Sequence, residues 1–119
     1  NFEHGYMFWN GDARRIYVFS ASSNTWRSYA DTWTEGEPPA AVLTPPPGTY
    51  QPVRGFGKLW LDQPEVRQAL GWATGQERAI QAAWQAFAHG AMLWTDSRLI
   101  RVLYDGGSWE LYYDTYAGP

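Results

Sequence analysis

Phe2-Glu3-His4-Gly5-Tyr6-Met7-Phe8-Trp9 recurs as Phe87-Ala88-His89-Gly90-Ala91-Met92-Leu93-Trp94, displaced by 85 residues. Arg14, Ile16 and Val18 recur as Arg98, Ile100 and Val102 at 84, and Trp26, Tyr29, Asp31 and Thr32 as Trp109, Tyr112, Asp114 and Thr115 at 83. Each loss of one residue falls among Gly, Asn, Asp and Ser. A paired strand resists such a loss, because a one-residue slip turns every side chain to the other face; a turn absorbs it. The losses therefore place turns near 10–14 and 21–25, and near 95–98 and 105–108. Three strands per copy remain.

Unit one, 2–33, reads as an antiparallel meander of strands 2–10, 15–21 and 26–33. Unit two, 86–116, reads as strands 86–95, 99–104 and 109–116. Val, Ile, Tyr, Phe, Trp and Thr crowd these runs, as residues that pack on a pleated surface do. Asn10-Gly11 and Asp105-Gly106-Gly107 supply the positive φ of tight hairpins. Gly5 and Gly90, inside the first strands, mark a bulge or the close approach of another backbone. Met7, Trp9, Ile16 and Val18 recur as Met92, Trp94, Ile100 and Val102 with period two, and so predict the buried seam between the units. Neither three-stranded unit is expected to be stable alone. The expected fold is mainly β: two pseudo-symmetric three-stranded antiparallel meanders packed together in a single domain, 1–119.

The connector, 34–80, differs in character. Pro38, Pro39, Pro45, Pro46, Pro47 and Pro52 forbid helix and disfavour a central strand, so an extended Pro-rich crossover is expected. Arg54-Gly55-Phe56-Gly57-Lys58 reads as a tight turn that docks Phe56 and Trp60. A short helix is predicted over about 64–70, with Pro64 in its first turn, Glu65 near its positive end, Gly71 as its stop, and Val66 and Leu70 toward the core. At most a turn or two of helix is expected near 75–80.

Composition narrows the functions. The chain of 119 residues has 9 basic and 12 acidic side chains, no Cys and two His. It is long enough for a core of its own without disulfides. No basic stripe points to nucleic acid, and no apolar run approaches the roughly 20 residues of a membrane-inserted helix. Zero Cys removes thiol nucleophiles and zinc ribbons. His4 and His89 hold equivalent places but lack partners at metal-ligand spacing, so no metal and no cofactor is expected. Opening on Asn1 reads as a processed product or an excised domain.

The order Phe-x-x-Gly-x-Met-x-Trp, Trp-x-x-Tyr-x-Asp-Thr-aromatic, Arg54-Gly55-Phe56-Gly57-Lys58-Leu59-Trp60 and Leu70-Gly71-Trp72-Ala73-Thr74, then Phe-x-x-Gly again, resembles tandem wall-associated repeat modules of secreted bacterial proteins. It is distantly similar to LGFP repeats, which carry Phe-Pro where this chain has Trp72-Ala73. Modules of that kind attach proteins to the cell envelope. The resemblance therefore implies an extracellular or cell-surface location and a binding role, and it brings no catalytic residues.

The chain holds 8 Trp, 8 Tyr and 5 Phe. Aromatic faces stack on sugars, and a carboxylate or Arg beside them receives or donates the hydroxyl bonds. Tyr29, Asp31 and Trp33 alternate onto one face, as do Tyr112, Asp114 and Tyr116; with Arg54, these are the candidate ligand-binding residues. Burial competes for the same rings at about 2–3 kcal/mol each, so most are expected in the core and a minority exposed. The expected function is non-catalytic recognition of a glycan or cell-wall polymer. Assembly with neighbouring repeats or subunits is the alternative, since the chain starts and stops at equivalent points of the repeat. A small glycan hydrolase using Asp31 and Asp114 is the third. A duplicated motif gives two similar environments, whereas an acid and a base need different ones. Structural use of Asp-Thr, closing a strand-end turn, is the competing role for both carboxylates.

Overall fold

The computed structural model describes residues 1–115. Strands β1 (Gly5–Asn10), β2 (Arg15–Ser20) and β3 (Thr25–Ala30) form one antiparallel sheet in the order β1-β2-β3. Strands β4 (Ala82–Phe87), β5 (Gly90–Thr95), β6 (Leu99–Tyr104) and β7 (Trp109–Tyr113) form a second, also antiparallel and in chain order. Helices α1 (Arg54–Asp62) and α2 (Pro64–Leu70) lie between the sheets in sequence. The protein is mainly β, with one strand and one helix more than the sequence predicts.

The extra strand comes from the Phe-x-x-Gly motif, which is a turn and not the middle of a strand. The expected strand 86–95 is broken there: Phe87 ends β4, Gly90 begins β5, and the two are paired across the turn. Phe2 and Gly5 form the matching bridge in the first unit. Both glycines lie where a neighbouring strand crosses closely. A Cβ on Gly5 would overlap the Phe19 carbonyl, and one on Gly90 the Leu103 carbonyl.

Both length changes fall in turns. Residues 11–14 become 96–98, and 21–24 is followed by Thr25 where 105–107 is followed by its bridge partner Ser108. Left-handed backbone is taken by Arg14 (φ 51°) and Arg98 (φ 64°), and by Asn24 and Gly107, not by Asn10-Gly11. Equivalent residues also pair in the same register: Met7 with Val18 and Ile16 with Tyr29, then Met92 with Val102 and Ile100 with Tyr112.

The seam between the sheets is the main correction. It is built from the face that, apart from the recurring Trp26 and Trp109, differs between the copies: Phe8, Tyr17 and Phe19 against Leu93, Leu103 and Trp109, with Tyr6, Trp26, Ile80 and Trp84 packed alongside. Met7, Ile16 and Val18 are buried as expected, but beneath Leu59, Trp60, Val66 and Leu70 of the helices. Trp9 and Met92 are exposed, and Trp94, Ile100 and Val102 only half-buried. The two meeting faces share Trp26 and Trp109 and fill the rest of the seam with side chains of different size. Thus Tyr17 and Phe8 have Arg101 and Leu93 as counterparts, and the buried Arg101 guanidinium lies 3.8 Å from the Tyr6 ring centroid. Apart from Trp26 and Trp109, recurrence marks the face turned away from the seam.

Equivalent bonds cross that seam in both directions. The Trp26 indole N–H donates to the Tyr104 carbonyl at 2.8 Å, and the Trp109 indole N–H donates to the Ser20 carbonyl at 3.2 Å. Thr25 bridges its own counterpart, Ser108. The layers therefore run helices, first sheet, second sheet.

Between the sheets in sequence, 35–49 is irregular, as its prolines demand, and 75–80 forms no helix. Residues 54–58, read as a tight turn, instead begin the helix α1. Two glycines cost a helix about 1 kcal/mol each, but burial of Leu59 and Trp60 outweighs that, each ring or branched chain contributing roughly 2–3 kcal/mol. α2 matches expectation: Pro64 opens it, Val66 and Leu70 are buried, and Gly71 stops it at φ 72°.

Candidate functional site

β3 is an edge strand, and α1 runs along it. Between them lies a cleft of about 240 Å³ lined by Tyr29, Ala30, Thr32, Gly55, Lys58, Leu59, Asp62 and Gln63. A second cleft of about 200 Å³ lies along β3 and α2, bounded by Arg27, Glu65, Val66, Ser20 and Thr25 among others. Tyr29 borders both. Its half-buried ring packs on the Met7–Ile16–Val18 cluster, so one part is fixed and the rest faces the openings.

Side chains reach the first cleft for local reasons. Gly55, Lys58, Leu59 and Asp62 follow helical spacing and share one face of α1. Gly55 is needed for the approach, because a Cβ there would sit 2.8 Å from an Asp31 carboxylate oxygen. Lys58 donates to the Thr32 carbonyl at 3.1 Å and pairs with Glu37 at 3.0 Å. That Lys58 bond holds the Glu37 carboxyl below its ordinary range. An aromatic edge thus stands among a cation, a carboxylate, an amide and a hydroxyl. Such a set takes a polyhydroxylated ligand by ring contact and hydrogen bonds.

The sequence-predicted residues fall in two separate places. Tyr29 lines the cleft and Asp31 abuts its wall, but Asp31 is spent on structure. Its Oδ2 accepts the Trp9 indole N–H at 2.9 Å and its Oδ1 the Trp33 backbone N–H at 3.1 Å. Trp33 is half-buried. Arg54, at the start of α1, takes Glu77 as its carboxylate at 2.8 Å. In the second unit, Asp114 likewise accepts the Trp94 indole N–H at 2.9 Å, with Arg98 3.9 Å away. Tyr112 is exposed and donates to Glu110 at 3.0 Å. Tyr116 lies outside the described residues. Tyr29 and Tyr112 lie on the faces of their own sheets that point away from the seam, and Asp31 and Asp114 are each bound by a tryptophan of their own sheet rather than brought to one site.

Lys58, Asp62, Gln63 and Thr32 were not singled out from sequence. The signal was the 55, 58, 59, 62 spacing, hidden once Gly-Phe-Gly is read as a turn. A further aromatic group lies on the outer face of the second sheet. There the Tyr104 hydroxyl donates to Glu110 at 2.6 Å and Tyr112 shares the other oxygen. The bond to Glu110 pushes the Tyr104 phenol up to about 12 and raises Tyr112, and the two phenols together lower Glu110. Among the described residues, no three His, Asp or Glu side chains gather at metal-binding distance, and no helix is long and apolar enough to cross a membrane. No protein-family model, curated protein or solved structure matches the chain.

Proposed function

We propose that the protein is a non-catalytic binding module of the cell surface or extracellular space, built from two copies of one repeat, that recognises a glycan or cell-wall polymer. The observation that carries this is the β3–α1 cleft, where the Tyr29 ring stands beside Lys58, Asp62, Gln63 and Thr32. Its position on an edge strand suits a linear chain passing along the surface. The wall-associated character of the repeat motifs agrees with that location. Separation of Asp31 from Asp114, each engaged by a tryptophan, favours binding over hydrolysis. Titration of the protein with soluble glycan fragments, followed by chemical shifts of the Tyr29 ring, tests the reading. Asp62→Ala and Gln63→Ala, whose side chains support no core contact, are expected to weaken binding at least about tenfold, a loss of one or two hydrogen bonds. Undiminished affinity in both variants, or shifts confined to other residues, would overturn it. Assembly with neighbouring repeats is the second reading, favoured by the uncovered outer face of the second sheet.

A further inference from the structure

In the first unit, the outward face of the sheet, Trp9 apart, is roofed by α1 and α2; in the second, no helix among the described residues covers that face, and Met92 and Tyr112 are exposed beside half-buried Trp94, Ile100 and Val102. Met7 is 5 % exposed and Met92 41 %. Tyr29 is half-buried beside α1, whereas Tyr112 is 48 % exposed. Phe87 and Tyr104 widen this apolar surface. The seam explains none of the recurrence of Met, Trp, Ile and Val here, because it uses the opposite face. A face that repeats while the seam, Trp26 and Trp109 apart, diverges is one that meets the same kind of neighbour twice.

Charge says which neighbour. Arg27 and Glu65 line one cleft along β3 and α2, so a cation of the first sheet and an anion of the helix border the same opening. Its counterpart in the second sheet is Glu110, which pairs with Val102 as Arg27 pairs with Val18. We infer that the outer face of β5–β7 docks a helical pair from another repeat, built like residues 54–70 but basic where α2 carries Glu65. A second copy of this chain does not fit. Its own helices are already seated on its first sheet, and its Glu65 would face Glu110. The outer face of the second sheet is thus an assembly face, and the docked helix would wall a second cleft along β7 as α1 does beside β3. This inference rests on the assembly reading and is independent of glycan recognition at the first cleft.

The test keeps residues 1–116, with a graft in place of Ala117–Pro119. Residues 34–74 are appended after Tyr116, which matches Trp33 in the repeat, once with Glu65 of the graft retained and once with Glu65→Lys. The lysine graft is expected to shield the Met92 methyl and Tyr112 ring from a soluble paramagnetic probe. It is also expected to slow amide exchange in β5 and β6 at least about tenfold, as buried segments do. The glutamate graft should protect less, and Glu110→Arg in the receiving sheet should reverse the preference. Equal protection by both grafts, or none by either, overturns the inference. So does light scattering that finds the unmodified chain dimeric with Met92 and Tyr112 already shielded. A glycan fragment that shifts Met92 and Tyr112 in the unmodified chain overturns it as well.

Discussion

Trp9 and Trp94 show how much single residues disclose. Both were read as core from their recurrence. Both instead use the indole N–H to hold an aspartate at the end of the third strand, at the same 2.9 Å. Recurrence correctly implied an equivalent role, but sequence has no term that separates burial from a latch on the outer face. Tyr104 was legible still less, because nothing in a strand sequence announces a phenol bonded to a carboxylate two strand positions away on a neighbour. Its consequence can be worked out. A phenol raised to about 12 favours the folded state with its proton on, so its contribution is complete below the ordinary 10.0 and disappears as pH climbs through about 12. Glu110 is lowered, so its contribution is present above the ordinary 4.5 and disappears as pH falls through its folded value. The cluster therefore stands intact between those limits. Near-ultraviolet absorbance should show one phenol ionising near 12, and Glu110→Gln should return it toward 10.0. A titration indifferent to that substitution would remove Glu110 as the cause.

At the level of elements, the turns were legible and the partners of the strands were not. Offsets between copies located the hairpins within β1-β2-β3 and within β5-β6-β7 because gaps are cheap only there, whereas the β4–β5 turn, where the offset does not change, went unread. α1 was hidden by Gly55 and Gly57, whose poor propensity is overridden by burial of Leu59 and Trp60. The seam bonds make a graded prediction. Trp109 is buried, so Trp109→Phe leaves the Ser20 carbonyl without its donor inside the core, and an unmet buried acceptor costs about 1–3 kcal/mol. Trp26→Phe removes the equivalent bond, but Tyr104 is exposed and water can replace the donor. Urea denaturation should therefore find Trp109→Phe the more damaging of the two, by about 1 kcal/mol or more. Equal losses would mean that the two bonds are equally wet and that the Trp109 side of the seam is not sealed.

Whole-molecule behaviour follows from the order of layers. The first sheet is the middle one, with helices on one face and the second sheet on the other. β2 accordingly reads as an unbroken apolar run, Ile16-Tyr17-Val18-Phe19, every member buried. Its counterpart, Ile100-Arg101-Val102-Leu103, alternates between open and closed positions. That contrast was visible in sequence. Its meaning was not, because a continuous run says only that both faces are covered. Local opening has to break contacts on each covered face, so β2 amides should exchange only through global unfolding, while β6 amides open at lower free energy. Hydrogen exchange in the unmodified chain should show a clear gap between the two central strands, with β2 the slower. Destabilising α2 by Leu70→Ala, which strips one roof from β2, should narrow that gap. If β6 proves as slow as β2, the second sheet has a roof of its own in solution, and the asymmetry between the two copies is lost.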